Sequence, residues 1–151
     1  MTYEKLLIEA DTEELIVKEK PLINCNGLIK GKRIAIRKNI PTIQKSCVLA
    51  EELGHYHTTY GNILDQTKTA NHKQELKARF WAYNKQIGLM GIIKSFKYGC
   101  KNRYEIAKYL DVTEQFLSDA LIAYKSKYGI RVIIDNYAIY FEPSLAVFKS
   151  I

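Results

Sequence analysis

Two acids and a histidine stand close together in Glu51-Glu52-Leu53-Gly54-His55, within a segment whose pattern predicts a helix. Residues four apart on a helix lie one above the other, so Glu51 and His55 could bind one ion. Glu52 is rotated by one residue and could act as general base on a water bound to that ion, as in the H-E-x-x-H zinc peptidase helix. The same spacing is also typical of an ordinary surface pair, so the motif alone leaves both interpretations open.

A second predicted helix supplies a further carboxylate, Glu75. It lies on the helix face that carries Ala78 and Ala82, and such small residues let two helices approach closely. Gly54 permits the same close packing on the motif helix, which the apolar run Cys47–Ala50 should bury. We therefore expect Glu75 to lie near His55.

The sequence around these residues predicts both helices and strands, which indicates an α+β fold. The first half of the chain predicts a helix over Tyr3–Val17 and a β-hairpin over Gly27–Arg37, with Leu28, Ile34 and Ile36 on one face. After Pro41 a helix should run through His55, followed by a polar loop over residues 60–73. A longer helix then carries an apolar stripe that we expect in the core, made of Leu76, Phe80, Tyr83, Ile87 and Met90.

The second half predicts two short helices, 104–110 and 114–128, with Asp111 and Glu114 at capping-box spacing. Gly129 stands where a left-handed C-terminal cap is expected. Ile130–Phe141 predicts a hairpin that turns at Asp135-Asn136.

Length and composition favour a single domain over residues 1–151, with a helical C-terminal part at about 103–128. The chain has 23 Lys and Arg against 16 Asp and Glu, a net charge of +7, and residues 1–19 alone carry a net charge of −4. Three scattered cysteines predict neither a disulfide framework nor a thiolate zinc site, and no membrane span is indicated. We therefore expect a cytoplasmic protein.

Four segments resemble the ImmA/IrrE family of metallo-endopeptidases, in the short form found in phages and mobile elements: Gly27–Ile36, Val48–Tyr56, Gln74–Ala82 and Glu105–Thr113. The resemblance implies a zincin-like metallopeptidase domain, mainly helical with a small antiparallel sheet. It implies a zinc-dependent endopeptidase that cleaves a phage or mobile-element repressor protein. Glu52 then takes the general-base position, His55 that of the second metal ligand and Glu75 that of the third.

The chain departs from the family at the first metal ligand, where Glu51 replaces a histidine and the motif becomes E-E-x-x-H. A carboxylate can bind zinc, but Glu51, His55 and Glu75 together would leave a divalent ion nearly neutral, so it would acidify its water less. Weak activity, a harder metal such as manganese, and an inactive relative are all compatible with this change.

The alternative function is a non-catalytic module that binds the repressor or DNA. A helix-turn-helix could lie within Tyr104–Leu121, but Asp111 stands where its turn usually has glycine, and acids on the second helix would be repelled by phosphates. Sequence-specific binding to nucleic acid is therefore not expected. His57 should face away from His55, as a partly exposed residue at the helix end, and could bind the ion only if the helix ended near Tyr56. We expect His72 to be a loop residue, with a contact to a metal ligand or to substrate as the alternative.

Overall fold

The computed structural model describes residues 1–59 and 68–150, which form two units, Met1–Lys85 and the chain from Gln86 onward. The first unit holds α1 (Tyr3–Thr12), β1 (Ile16–Lys20), β2 (Gly27–Lys30), β3 (Arg33–Arg37), α2 (Thr42–Thr58) and nearly all of α3 (Lys68–Gln86). The second holds α4 (Gly88–Tyr98), α5 (Arg103–Leu110), α6 (Glu114–Tyr128), β4 (Arg131–Ile134), β5 (Tyr137–Tyr140) and β6 (Ala146–Lys149). The predicted α+β class is confirmed. No helix among these residues is long and apolar enough to cross a membrane.

The predicted N-terminal hairpin forms β2 and β3, joined by Gly31-Lys32. The prediction that Leu28 shares a face with Ile34 and Ile36 is wrong. The two-residue turn pairs Ile29 with Ile34 and Leu28 with Ala35. Paired residues point to the same face, so Ile29, and not Leu28, shares a face with Ile34. Ile34 and Ile36 are buried beneath α2, whereas Leu28 lies on the opposite face.

The predicted helix over Tyr3–Val17 is too long, because α1 ends at Thr12 and Ile16 begins a strand. Glu13 and Glu14 follow the helix, where negative charge opposes the helix dipole, and Glu14 has a positive φ of 62°. The β-branched residues Ile16 and Val17 then suit the extended strand β1. This strand pairs in parallel with β3, so the first sheet is mixed, with the strand order β1-β3-β2.

The predicted motif helix is confirmed as α2, with Pro41 at its N-cap. The loop predicted for residues 60–73 is only partly testable, because residues 60–67 lie outside those that the structure describes. Its last part is wrong, since α3 already begins at Lys68. Lys68, Ala70 and Lys73 are good helix formers, so a polar composition there did not require a loop.

The single long helix predicted to carry Leu76 through Met90 is two helices, α3 and α4, which meet at Ile87 and Gly88. Gly88 has a φ of 65°, and its N–H donates a hydrogen bond to the Tyr124 hydroxyl at 3.2 Å. The apolar stripe is core only in part, because Tyr83 and Ile87 are buried while Leu76 and Met90 are 50% and 43% exposed. Leu76 lies two residues from Ala78, about 200° around the helix, and so faces away from α2.

In the second unit the predicted helix pair is confirmed as α5 and α6, but the predicted cap is wrong. Thr113 caps α6 by accepting from the Phe116 N–H, whereas Asp111 ends α5 in a left-handed conformation. Gly129 ends α6 with a positive φ of 80°, but its ψ of −148° lies outside the left-handed helical region. The predicted hairpin is confirmed as β4 and β5, and β6 extends it to an antiparallel sheet of three strands.

Candidate active site

Helix α2 holds the predicted site residues at the edge of its buried face. Cys47, Leu49, Ala50 and Leu53 are buried and anchor the helix in the first unit. Glu51, Glu52 and His55 follow these anchors at helical spacing and are half-buried. The apolar anchors therefore fix which way the polar side chains point.

Helices α2 and α3 touch at Gly54 and Ala78. A Cβ placed on Gly54 would lie 2.2 Å from the Ala78 carbonyl oxygen, so only glycine allows this approach. Ala78 and Ala82 are fully buried, as their small size predicted. This contact brings Glu75, one turn before Ala78, toward the residue that follows Gly54.

His55 and Glu75 meet across this helix contact. The His55 Nε2 atom lies 3.1 Å from Glu75 Oε2. An ionised carboxylate only accepts hydrogen bonds, so the imidazole N–H is the donor. The other oxygen of Glu75 lies 3.4 Å from Nε of Arg79, one turn further along α3. Arg79 is not among the predicted site residues, although its i,i+4 spacing from Glu75 was readable in the sequence.

Glu52 is the most perturbed carboxyl of the site. Burial, together with the negative charges of Glu51 and Glu75, raises the pKa of Glu52 to about 7. Its side chain lies against β2, because a Cβ on Gly27 would come within 2.9 Å of Glu52 Oε1 and 2.6 Å of Val48 Cγ1. The hairpin pattern predicted the place of Gly27 in a strand but carried no sign that its backbone approaches the general-base position.

The donor atoms of His55 and Glu75 fit one divalent cation. Bonds of about 2.0–2.1 Å at tetrahedral angles hold neighbouring donor atoms about 3.3 Å apart, close to the observed 3.1 Å. A cation would take the place of the proton that His55 Nε2 donates to Glu75. Within residues 1–59 and 68–150, no group of three or more His, Cys, Asp or Glu side chains is arranged to hold a metal ion. The structure thus brings two of the three predicted ligands together, and Glu51 acts on Glu52 through its charge.

The other two histidines lie apart from this pair. His57 contacts Glu13, with His57 Nε2 3.0 Å from Glu13 Oε2, and its ring stacks on Trp81 at a centroid distance of 4.8 Å. It therefore joins the end of α1 to α3 and faces away from His55, as predicted. The prediction that His72 is a loop residue is wrong, because it is an exposed residue of α3.

A helix with a glutamate and, three residues later, a histidine that meets a glutamate of the next helix resembles the H-E-x-x-H arrangement of metal-dependent peptidases, with Glu51 in place of the first histidine. Residues 10–121 match the family model of the IrrE N-terminal-like domain, Peptidase_M78, and the chain belongs to this family. The resemblance to ImmA/IrrE proteins is thereby confirmed, and with it a metallopeptidase-type domain. No curated protein and no solved structure matches the chain.

Proposed function

We propose that this protein is a metal-dependent endopeptidase in which Glu52 is the general base and Glu51, His55 and Glu75 bind the cation. The observation that carries the proposal is the meeting of His55 Nε2 and Glu75 Oε2 at 3.1 Å, with the half-buried Glu52 carboxyl near enough to Glu75 for that charge to raise its pKa. Membership of the Peptidase_M78 family supports a metallopeptidase-type function independently of the geometry.

Zinc is the cofactor we propose, with manganese or another divalent metal as the alternative because carboxylates suit harder ions. A bound cation would supply Lewis acidity to the substrate carbonyl and to water. Glu52 would accept a proton from the attacking water as the new C–O bond forms. It would then donate that proton to the amide nitrogen as the C–N bond breaks. Arg79 would hold the Glu75 carboxylate in position through the Nε–Oε1 contact.

The substrate would bind as an extended strand along the free edge of β2. This strand is at the edge of the sheet, so its outer backbone groups can pair with another chain. Gly27 lies against the Glu52 carboxyl, and a strand added there would bring its backbone close to the general base. The hairpin at Gly27–Arg37 is thus the substrate platform in this proposal.

The proposed substrate is a repressor protein of a phage or mobile element, met in the cytoplasm. This part of the proposal comes from the ImmA/IrrE resemblance, and family membership supports a protein substrate.

Cleavage of a mixture of denatured peptides tests the proposed reaction on many sequences at once. The zinc-loaded protein should generate new peptide N-termini, detected by mass spectrometry, and Glu52→Gln with the same zinc content should generate none. A helix-turn-helix repressor should then be cut at one or a few sites. Equal cleavage by the parent protein and Glu52→Gln would remove Glu52 from its role.

A non-catalytic binding protein is the second candidate function. It is favoured by Glu51 at the first ligand position and by the lack of a three-residue metal group in the described part of the chain. Such a protein would bind its partner equally well with and without Glu52, and it would release no new N-termini.

A further inference from the structure

The first sheet has a second face, opposite α2, whose composition follows from the strand register. In β1, Ile16 pairs with Arg33 and Lys18 with Ala35. In β2, Lys30 pairs with Arg33 and Leu28 with Ala35. Because paired residues point to the same side, all of these side chains lie on one side of the sheet. Lys20 lies two residues beyond Lys18 and joins them. We call this surface the basic sheet face: Ile16, Lys18, Lys20, Leu28, Lys30, Arg33 and Ala35.

The basic sheet face is open to solvent even where it is apolar. Ile16 is 48% exposed and Leu28 is 53% exposed, whereas Ile34 and Ile36 on the other face are at most 2% exposed. These seven residues, together with Ile34, line a groove of about 340 Å³. The sheet already packs one face on α2, so Ile16 and Leu28 are apolar side chains exposed on its mainly charged, solvent-facing side.

The charges of this face are all of one sign. Lys18, Lys20, Lys30 and Arg33 are exposed, and none of them lies within ion-pair distance of an acid among the described residues. The one acid of β1, Glu19, points to the other face, where it accepts hydrogen bonds from Tyr3 at 3.2 Å and Lys45 at 2.7 Å. The groove therefore offers four positive charges and no negative one.

The arrangement of the face indicates what would cover it. Leu28 and Ala35 form an apolar row, with Lys30 and Arg33 on one side of it and Lys20 on the other. We propose that the basic sheet face is a docking surface for an acidic amphipathic helix of a protein partner. Such a helix would set apolar side chains on Leu28 and Ala35 and carboxylates against the lysines and Arg33.

A nucleic acid suits this face less well than an acidic helix does. Single-stranded nucleic acids bind by stacking bases on aromatic side chains, and the face has none. Phosphates would meet the four cations but would leave Leu28 and Ile16 uncovered. Docking does not require peptidase activity, so the inference stands or falls apart from the proposed function.

Fluorescence anisotropy with a labelled synthetic peptide tests the docking surface on the intact protein. The probe is a peptide of Glu, Ala and Leu, about 15 residues long, with leucines along one helical face. It should bind at least about fivefold more tightly than a scrambled peptide of the same composition. Lys18→Glu with Lys30→Glu should weaken binding by about tenfold or more. Leu28→Ser should weaken it several-fold, also in about 0.5 M salt, where exposed charges are screened.

Two control variants separate specific docking from general charge attraction. Lys94→Glu with Lys108→Glu reverses two exposed lysines of α4 and α5 and should leave the affinity within about twofold. Glu52→Gln should bind the peptide like the parent protein. The proposal is overturned if both double charge reversals weaken binding equally. It is also overturned if a thymidine oligonucleotide binds more tightly than the peptide and Leu28→Ser leaves the affinity for the oligonucleotide unchanged.

Discussion

The Glu52 carboxyl is partly buried and lies near the negative charges of Glu51 and Glu75, so its ionisation destabilises the folded protein. Its pKa rises from an ordinary 4.5 to about 7. Between these pH values the folded protein keeps a proton that the unfolded chain has lost. The free energy of unfolding therefore falls as the pH rises through this interval.

Glu52→Gln should stabilise the metal-free protein above neutral pH by about 1–2 kcal/mol, a value reduced for the partial solvation of the carboxyl. The amide removes the unfavourable ionisation and keeps the shape of the side chain. Urea unfolding at about pH 5 and about pH 8 measures the effect, which should be much larger at the higher pH. Asp11→Asn, at an exposed position of α1, is the control for the loss of one negative charge. Equal stability of Glu52→Gln and parent at both pH values would contradict the prediction.

Glu51→His should tighten zinc binding by about tenfold or more, a size typical of changes around metal ligands. The substitution restores a second imidazole and raises the charge of the site by one unit, so a bound cation polarises water and carbonyl more strongly. Competition with a chelating dye measures the affinity, and peptide cleavage should increase in parallel. If Glu51→His and Glu51→Ala both leave zinc affinity unchanged, Glu51 is not a ligand.

At the scale of the elements, the contact between α2 and α3 decides whether His55 and Glu75 can meet. Gly54→Ala should lower the free energy of unfolding by about 1–3 kcal/mol, because its Cβ has to displace the Ala78 backbone. The helices should separate and zinc affinity should fall. Thermal unfolding and zinc titration measure both effects.

Gly91→Ala is the matched control for this helix contact. A Cβ on Gly91 would meet side-chain atoms and no backbone, Leu110 Cδ2 at 3.3 Å and Ile87 Cγ2 at 4.0 Å, so a small shift accommodates it. We expect a change within about 1 kcal/mol, since alanine also favours the helix. Similar destabilisation by Gly54→Ala and Gly91→Ala would show that the contact at Ala78 has no special role.

The elements that the sequence predicted correctly are those with a local signal. Alternating residues around Gly31-Lys32 and Asp135-Asn136 marked both hairpins, and apolar spacing after Pro41 marked α2. The wrong predictions concern elements whose conformation depends on contacts between residues far apart in the sequence. Parallel pairing with β3 makes Ile16–Lys20 a strand, and the bond from Gly88 to Tyr124 accompanies a break in an otherwise continuous apolar pattern.

Part of the candidate site could be predicted from the sequence because it also depends on local spacing. Helical spacing and the small residues Ala78 and Ala82 predicted that Glu75 would approach His55, and the two side chains do meet. The approach of Gly27 to Glu52 joins residues far apart in sequence, and only the packing of β2 on α2 creates it. The same is true of the contacts of His57 with Glu13 and Trp81.

At the scale of the whole molecule, the net charge of +7 predicts weak, non-specific attraction to nucleic acid. On the α5–α6 pair, Glu114, Gln115 and Asp119 are exposed, and Gln115 and Asp119 are hydrogen-bonded to each other at 2.9 Å. Binding to duplex DNA should therefore fall steeply between about 50 mM and 200 mM salt and show no sequence preference. Gel shifts across this range measure it. A footprint that persists at the higher salt and is lost in Gln115→Ala would contradict the prediction.

The central claim is that α2 and α3 together hold one divalent cation, and zinc titration by calorimetry after chelation tests it most directly. The parent protein should bind one zinc ion, and His55→Ala with Glu75→Ala should weaken that binding by about 100-fold or more, since both fitted donor atoms are lost. His57→Ala, on the same helix but in contact with Glu13 and Trp81, should bind zinc like the parent. Undiminished binding by the double variant would place the cation elsewhere and contradict the claim.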